Sequence, residues 1–373
     1  MCALCDGGGP VGPAVGRRAL LSGLGAAGLA LGAVACGSSG QAAAQSTGAV
    51  GSAKLELVLL GTKAGPPPSA DRAGISTALV VDGQVYLIDA GRASVTQYAK
   101  AGLSLGALRG IFLTHLHIDH IADYFNYFVL GGYPDEGMIG AKGPVAVYGP
   151  GPAGGLLPKF GGGNAPVVAP QDPTPGTRAL TENWNRAVAY SSNVFIRDTG
   201  ASDPMALMNI HEIQIPAIGA DFTNRAPTMQ PFEVMRDDKV RVTAVLVPHG
   251  PVFPAFAFRF DTAYGSVTFS GDTTYTDNIP TLAHNTDVLV HEAINLEGSS
   301  LSAVEHNHMV TSHVEVQKVG AIAQRAGAKR LVLSHIADLA SPHIDSSKWH
   351  DWASTGYSNN VIIGDDLQYI PVH

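Results

Sequence analysis

Cysteine is almost missing from this chain of 373 residues: there are three, Cys2, Cys5 and Cys36, and none follows. The body therefore holds no disulfide and no thiolate metal site. Charged residues are few, 14% of the chain, and no block of Lys or Arg occurs. With a formal net charge of −8, that predicts no nucleic-acid partner, because phosphate binding draws on concentrated positive charge. Neither a Gly-X-Y period nor a repeat at fixed spacing is visible, which excludes collagen-like and solenoid architectures. What is abundant is apolar. Hydrophobic residues make up 45% of the chain, enough for a core and too many for a disordered polymer. Forty-four Gly and 24 Pro predict many turns and long loops.

Gly16-Arg17-Arg18-Ala19-Leu20-Leu21 opens a weakly apolar, Gly/Ala-rich run ending at Ala33-Val34-Ala35-Cys36. Paired arginines ahead of such a run resemble a twin-arginine export signal. Residues 1–36 are therefore read as an address, and the product as exported to the periplasm or cell envelope. Two endings stand open: an A-x-A cleavage site at Ala33–Ala35, or Cys36 as the lipid-anchored first residue of a lipoprotein. The run is too short and too rich in glycine for a comfortable bilayer crossing, so no transmembrane span is expected. Residues 37–53, dominated by Gly, Ser, Ala, Gln and Thr, read as a flexible tether.

Residues 54–373 form the body. Lys54–Thr62 reads as a strand, and Thr77–Val81 and Gln84–Ile88 flank Asp82-Gly83, a strong hairpin signal. Ser94–Ala101 reads as a short helix, Gly110–Thr114 and Val145–Tyr148 as strands. Val240–Val247, Ala255–Phe260 and Ser266–Phe269 read as an antiparallel run, Val288–Val290 and Arg330–Leu333 as short apolar strands. Between the last two, a capping box Ser312-x-x-Glu315 opens a helix that carries Val316, Val319, Ile322 and Ala323 and stops at Gly327. Two clusters of strands, each followed by helices, predict an α/β fold of two sheets face to face with helices outside, a four-layer αββα sandwich. Residues 149–235 read as a long inserted lid. Trp184, Tyr190, Phe195 and Phe222 would give it an aromatic wall that sets specificity.

The densest chemistry follows a strand end. Thr114-His115-Leu116-His117-Ile118-Asp119-His120 places four ligand-type side chains within six positions. The strand fixes the backbone, and the turn after it lets alternate side chains converge. Imidazole and carboxylate without thiolate suit Zn²⁺, with Fe or Mn as other occupants.

This HxHxDH segment resembles the signature of the metallo-β-lactamase superfamily. The resemblance extends to Ile88-Asp89-Ala90-Gly91, Val247-Pro248-His249-Gly250, Phe269-Ser270-Gly271-Asp272-Thr273 and Leu333-Ser334-His335. It implies one Zn²⁺ on His115, His117 and His249, a second on Asp119, His120 and His335, and Asp272 as the bridge. It also implies hydrolysis by a water that the two ions share and deprotonate. Within the superfamily the likeness is to the branch of ribonuclease Z and the zinc arylsulfatases. Asp272 in place of a Cys, His291-Glu292 ending a strand and Thr311-Ser312-His313 opening a helix carry it. By that likeness His313 is the candidate general acid, Glu292 its orienter, and Asp119 a further catalytic group.

The chain lacks the Ser-x-Arg-Tyr that follows the last histidine of ribonuclease Z, and it lacks a basic arm. Together with the export signal, this points away from tRNA and toward an exported, arylsulfatase-like dinuclear zinc hydrolase. Two Zn²⁺ against Asp119, Asp272 and a hydroxide leave the centre at about +1. That favours a small monoanionic ester with an aryl leaving group over a neutral lactone. A lactonase or a phosphodiesterase is the alternative with the same site. A binding protein that has kept the fold and lost turnover is the alternative of another class. The oligomeric state is left open.

Overall fold

The structure is a computed structural model that describes residues 53–133 and 137–373. The export signal, Cys36 and all of the tether except its last residue lie outside the described residues. Six strands come first: β1 (Leu55–Gly61), β2 (Ser76–Val81), β3 (Gln84–Ile88), β4 (Leu108–Phe112), β5 (Val145–Pro150) and β6 (Met208–Ile213). The second set is β7 (Phe232–Arg236), β8 (Val240–Leu246), β9 (Phe256–Thr262), β10 (Gly265–Phe269), β11 (Val288–Asn295), β12 (Arg330–Asp338) and β13 (Asn360–Ile363), before β14 (Gln368–Pro371) returns to the first. Two seven-stranded sheets result, ordered β14-β1-β2-β3-β4-β5-β6 and β13-β12-β11-β10-β9-β8-β7. Each is antiparallel on one half and parallel on the other: β14 to β3 and β7 to β10 are antiparallel. From β3 to β6 and from β10 to β13 the strands are parallel.

Both faces of the first sheet are covered, so its strands read as apolar runs rather than as alternation. In β1, Leu57 and Leu59 point into the core between the sheets, while Val58 and Leu60 join an outer cluster. The inner layer is aromatic: Phe112 packs edge-on against Phe258 and Phe260, with ring centroids 5.6 and 4.9 Å away. The outer cluster is filled by Tyr98 from α1 (Ser94–Lys100) and by Tyr124, Tyr127 and Phe128 from α3 (Tyr124–Gly131), which follows the single turn α2 (Ile118–Ile121). Helices α4 (Thr177–Ala187) and α5 (Ala189–Asp198) come next, then α6 (Asn278–Leu282), α7 (Ala303–Ser312), α8 (Val316–Ala326) and α9 (Ser346–Ala353). The face that α8 buries is Val316, Val319, Ile322 and Ala323, and Gly327 ends it with φ 65°, as the spacing predicts. The Asp82-Gly83 turn has φ of 49° and 78°, the double positive φ of a type I′ hairpin. The αββα sandwich thus stands.

The helix boundary near His313 differs from expectation. The capping box belongs to α7, where Ser302 and Glu305 exchange bonds, and Ser312 is the last residue of that helix. His313 is extended (φ −136°, ψ 163°) on the link to α8, whose N-cap Glu315 makes no side-chain cap. Competing bonds cause the break: the Glu292 carboxylate accepts from the Val314 N–H at 2.8 Å, and the His249 ring meets the Ser312 carbonyl at 2.9 Å. Residues 149–235 hold α4 and α5 and also β6 and β7, the last strands of the two sheets. Among the described residues no helix is long and apolar enough to cross a membrane.

Candidate metal centre

Every ligand-type side chain named from the sequence arrives at one place, the ends of the central strands. His115 and His117 lie on the turn after β4, Asp119 and His120 in α2, His249 after β8, Asp272 after β10 and His335 in β12. His115, His117 and His249 bring ligand atoms to within 4.8 Å of one another, as do Asp119, His120, Asp272 and His335. One carboxylate oxygen lies between the two groups. Asp272 Oδ2 is 3.2 Å from His120 Nε2 and from His335 Nε2. It is 3.8 Å from His249 Nε2 and 4.0 Å from His115 Nε2. In the first group His249 Nε2 faces His117 Nδ1 at 3.1 Å. Glu292 and His313 stand beside the second group.

Buried polar atoms without partners mark what the cluster is built for. His115 Nε2, Asp119 Oδ1, His120 Nε2 and His335 Nδ1 are buried and make no hydrogen bond. Leaving such atoms dry and unpaired costs about 1–3 kcal/mol each. The opposite ring edges are held: His120 Nδ1 by Asp89 at 2.8 Å, His249 Nδ1 by the Ser312 carbonyl, and His115 Nδ1 near Thr114 Oγ1 at 3.1 Å. Outer partners of this kind fix which ring nitrogen is left to bind a metal. Asp89 also accepts from the Thr114 N–H and hydroxyl, both at 2.8 Å. The sequence marks Asp89 only as a turn, and its orienting role becomes visible through the register of β3 against β4. Asp89 and His335 have φ of 55° and 56°, left-handed backbone that costs of order 1–3 kcal/mol in a non-glycine residue. Both strained residues serve the cluster.

Electrostatics fit a cation. Burial holds His115, His117 and His249 neutral, His117 down to about 4 and His249 down to about 3; neutral imidazole is the binding form. Burial opposes the negative charge of Asp119 and Asp272, yet the histidines around them keep both carboxyls ionised. Burial likewise opposes a charge on His120, but Asp272 and Asp89 raise it well above the ordinary histidine value. Ionised carboxylates and neutral imidazoles, with lone pairs converging and no thiolate, are a donor set that fits two divalent ions.

His313 Nδ1 lies 3.3 Å from Glu292 Oε2, and its ring stacks on His335 at 5.7 Å. Burial works against its charge, and the Glu292 carboxylate overrides this and raises it to about 9. His308 is half-buried, its ring 6.2 Å from that of His313. The four lid aromatics have separate surroundings. Trp184 packs on Tyr124 and Phe125, with ring centroids 6.0 and 6.3 Å away; Phe222 lies over Gly155; Tyr190 and Phe195 are exposed.

Residues 176–336 match the family model of the beta-lactamase superfamily domain, and residues 71–126 that of the metallo-beta-lactamase superfamily. Ribonuclease Z of Mycobacterium bovis (strain BCG) is 27% identical over 320 residues, 86% of this chain and 99% of that relative. Ribonuclease Z of Mycolicibacterium gilvum is 28% identical over 320 residues, 86% of this chain and 96% of that relative. Among solved structures, human tRNase Z, short form, matches with a TM-score of 0.56 at 20% identity, covering 85% of this chain and 99% of that one.

These relatives overturn one expectation. Composition predicted no nucleic-acid partner and the charge of the centre a small ester as the substrate, but relatives spanning the whole body are ribonucleases by name. The physical reason is that net charge sums the entire surface. A centre that binds divalent ions presents its positive charge locally, and salt screens the distant carboxylates beyond about 8 Å.

Proposed function

The chain belongs to the metallo-β-lactamase superfamily, in its ribonuclease Z-like branch, and from that premise we propose a metal-dependent phosphodiesterase that takes RNA as its substrate class. One observation carries the reading: Asp272 Oδ2 stands 3.2–4.0 Å from imidazole nitrogens of both three-residue groups, in a body that ribonuclease Z relatives match along its length. His115, His117 and His249 would hold one ion and Asp119, His120 and His335 the other, with Asp272 shared. Divalent ions there, zinc by the donor set, supply Lewis-acid polarisation of an ester oxygen and a nucleophile at neutral pH.

The protein's own part is positioning and proton transfer. Glu292 is fixed by the Val314 N–H and turns one edge of the His313 ring toward itself, leaving the other edge to protonate the leaving oxygen. His313 is extended between two helices, so the link can aim its ring across His335 and His249. A group that carries its proton at neutral pH suits an alkoxide leaving group, such as the ribose oxygen of RNA, which departs poorly without one.

The test sets three substrates against metal-loaded protein: an RNA oligonucleotide, bis(p-nitrophenyl) phosphate and p-nitrophenyl sulfate. Cleavage of RNA and the phosphate diester, abolished by chelation and restored by Zn²⁺, is the expected result. Turnover of the sulfate alone would return the assignment to the arylsulfatase-like reading. Export by the twin-arginine route belongs to the same proposal, and its support is the Arg17-Arg18 segment. Replacing both arginines with Lys should retain the precursor in the cytoplasm, and unchanged export would remove that part.

A further inference from the structure

Beside the metal centre lies a second cavity of about 210 Å³, lined by Lys63, Pro66, Pro67, Arg92, Ile118 and Asp119. Asp119 belongs to both: it is one of the clustered ligand side chains and part of the cavity wall. The space is several times the ~30 Å³ share of one liquid water, so it admits a chemical group of substrate size.

Several Lys and Arg side chains around the body meet carboxylates, as Lys54 and Lys239 meet Asp82, Arg72 meets Asp365, and Arg241 meets Glu233; the two cations of this cavity do not. Lys63 Nζ donates to the Ala64 carbonyl, and Arg92 Nη2 donates to the Ser69 and Arg72 carbonyls. Among the described residues no carboxylate forms an ion pair with either. Lys63 is also partly buried, which disfavours its charge, while nearby Asp119 favours it. Two cations on one cavity wall, neither of them ion-paired, favour an anion in the space they share.

The backbone holds them in place. The Lys63 N–H donates to the Ala73 carbonyl at 3.0 Å, the Ala64 N–H to the Ile336 carbonyl beside His335 at 3.3 Å, and the Gly74 N–H to the Arg92 carbonyl at 2.9 Å. Two glycines permit this approach: a Cβ on Gly74 would stand 2.5 Å from the Arg92 nitrogen, and one on Gly91 2.3 Å from the Asp119 carbonyl oxygen. The loop after β1, the loop after β3 and the Asp119 backbone therefore lock into one unit. The backbones at Lys63 and Arg92 are thereby fixed beside the metal centre. Pro66, Pro67 and Ile118, the last 55% exposed, supply the apolar part of the cavity lining.

We propose that Lys63 and Arg92 form a subsite for a second anionic group of the substrate, a phosphate or a carboxylate carried next to the ester that is cleaved. This rests on the reading of the centre as one that binds anionic esters. It adds that the preferred substrate has at least two negative groups, so a simple monoanionic diester fills only half the site.

Binding of inert analogues to the metal-loaded protein tests this without turnover. The probes are methyl(phenyl)phosphinate, which is monoanionic and has no ester bond, and two derivatives whose ring carries a carboxylate or a phosphate, each measured by calorimetry. One or both derivatives should bind at least about tenfold more tightly than the parent, the scale of a hydrogen bond to a charged group; which one does so identifies the source of the anion. Lys63→Met and Arg92→Met should each remove most of that advantage while leaving parent affinity and metal content unchanged, and Lys63→Arg should restore it. Equal affinity of all three probes for the native protein, or equal losses for parent and derivatives in the variants, would overturn the subsite alone. Failure of the parent itself to bind would overturn the reading of the centre, and the subsite with it.

Discussion

The histidine cluster and the aromatic residues of α4, α5 and the loop after β6 stand out equally in the sequence, and the fold treats them in opposite ways. His115, His249 and His335 are 0–3% exposed, whereas Tyr190 is 84% and Phe195 44% exposed. The cluster sits at strand ends, where ladders on both sides fix the backbone and outer partners such as Asp89 fix the rings. Helix α4 meets the body through Thr177, Leu180, Thr181, Trp184 and, just past its end, Val188, while Tyr190 and Phe195 of α5 have no such frame. A side chain becomes placed when its neighbours are placed. Abundance of one residue type in a segment does not gather those residues.

The largest effect that could break this contrast is at Asp272. Asp272→Asn should lose metal from both positions together and reduce activity by more than the roughly 10–100-fold typical of an outer partner. Metal analysis of the purified variant checks it, and full occupancy would remove Asp272 from the shared position. His249→Ala, by comparison, should empty mainly one position.

Asp89→Asn comes next, because Asp89 touches no ion in this reading. It holds His120 and both polar groups of Thr114, so the variant should weaken metal affinity by roughly 10–100-fold while keeping the fold. Competition with a chelator measures the loss. Native affinity would mean that the strand ladder alone orients the cluster.

The contrast also says why the sequence could be read as far as it could. HxHxDH, Gly-Asp-Thr and the isolated His249 follow apolar strands, where a strand end transmits position faithfully to the residue after it, and His335 stands within β12 at its register shift against β11. The α8 face was legible because its spacing is helical and its stop is a glycine. The start of that helix was not. Ser312 and Glu315 have the chemistry of a capping box, but Glu292, twenty residues earlier and on a strand, takes the Val314 N–H instead. Long-range competition for one N–H is invisible in a local pattern. The expectation that excluded nucleic acid failed against the ribonuclease Z relatives for a similar reason, since total charge carries no information on where charge is focused.

His291 separates burial from cluster membership. It is fully buried, its Nδ1 lies 2.6 Å from the Glu292 carbonyl and its Nε2 has no partner. Burial lowers its pKa, only partly opposed by Glu292. With the folded value below the unfolded one, its stabilising contribution is present above about pH 6.5 and is lost as the pH falls through the lower, folded value. Metal-loaded native protein should therefore lose melting temperature between pH 7 and 5 more steeply than His291→Phe. Parallel slopes would show that His291 charges as easily in the fold as outside it.

The smallest effects belong to the exposed region, and they sharpen the comparison most. Trp184 packs on two rings of the outer cluster. Trp184→Ala should cost about 1–3 kcal/mol, below the 3–5 typical of a fully buried aromatic, with metal content untouched. Tyr190 projects into solvent without a ring partner, so Tyr190→Ser should change stability by no more than about 0.5 kcal/mol. Denaturant unfolding of both variants orders them. Tyr190 and Phe195 both project from α5, and under the RNA reading they would offer base stacking. Tyr190→Ser should then weaken binding of an RNA oligonucleotide while leaving bis(p-nitrophenyl) phosphate turnover unchanged, because the small diester reaches only the metal centre. Equal loss on both substrates would place Tyr190 in the site after all. No loss on either would leave the strand-end cluster and its neighbouring cations as the whole of the recognition surface.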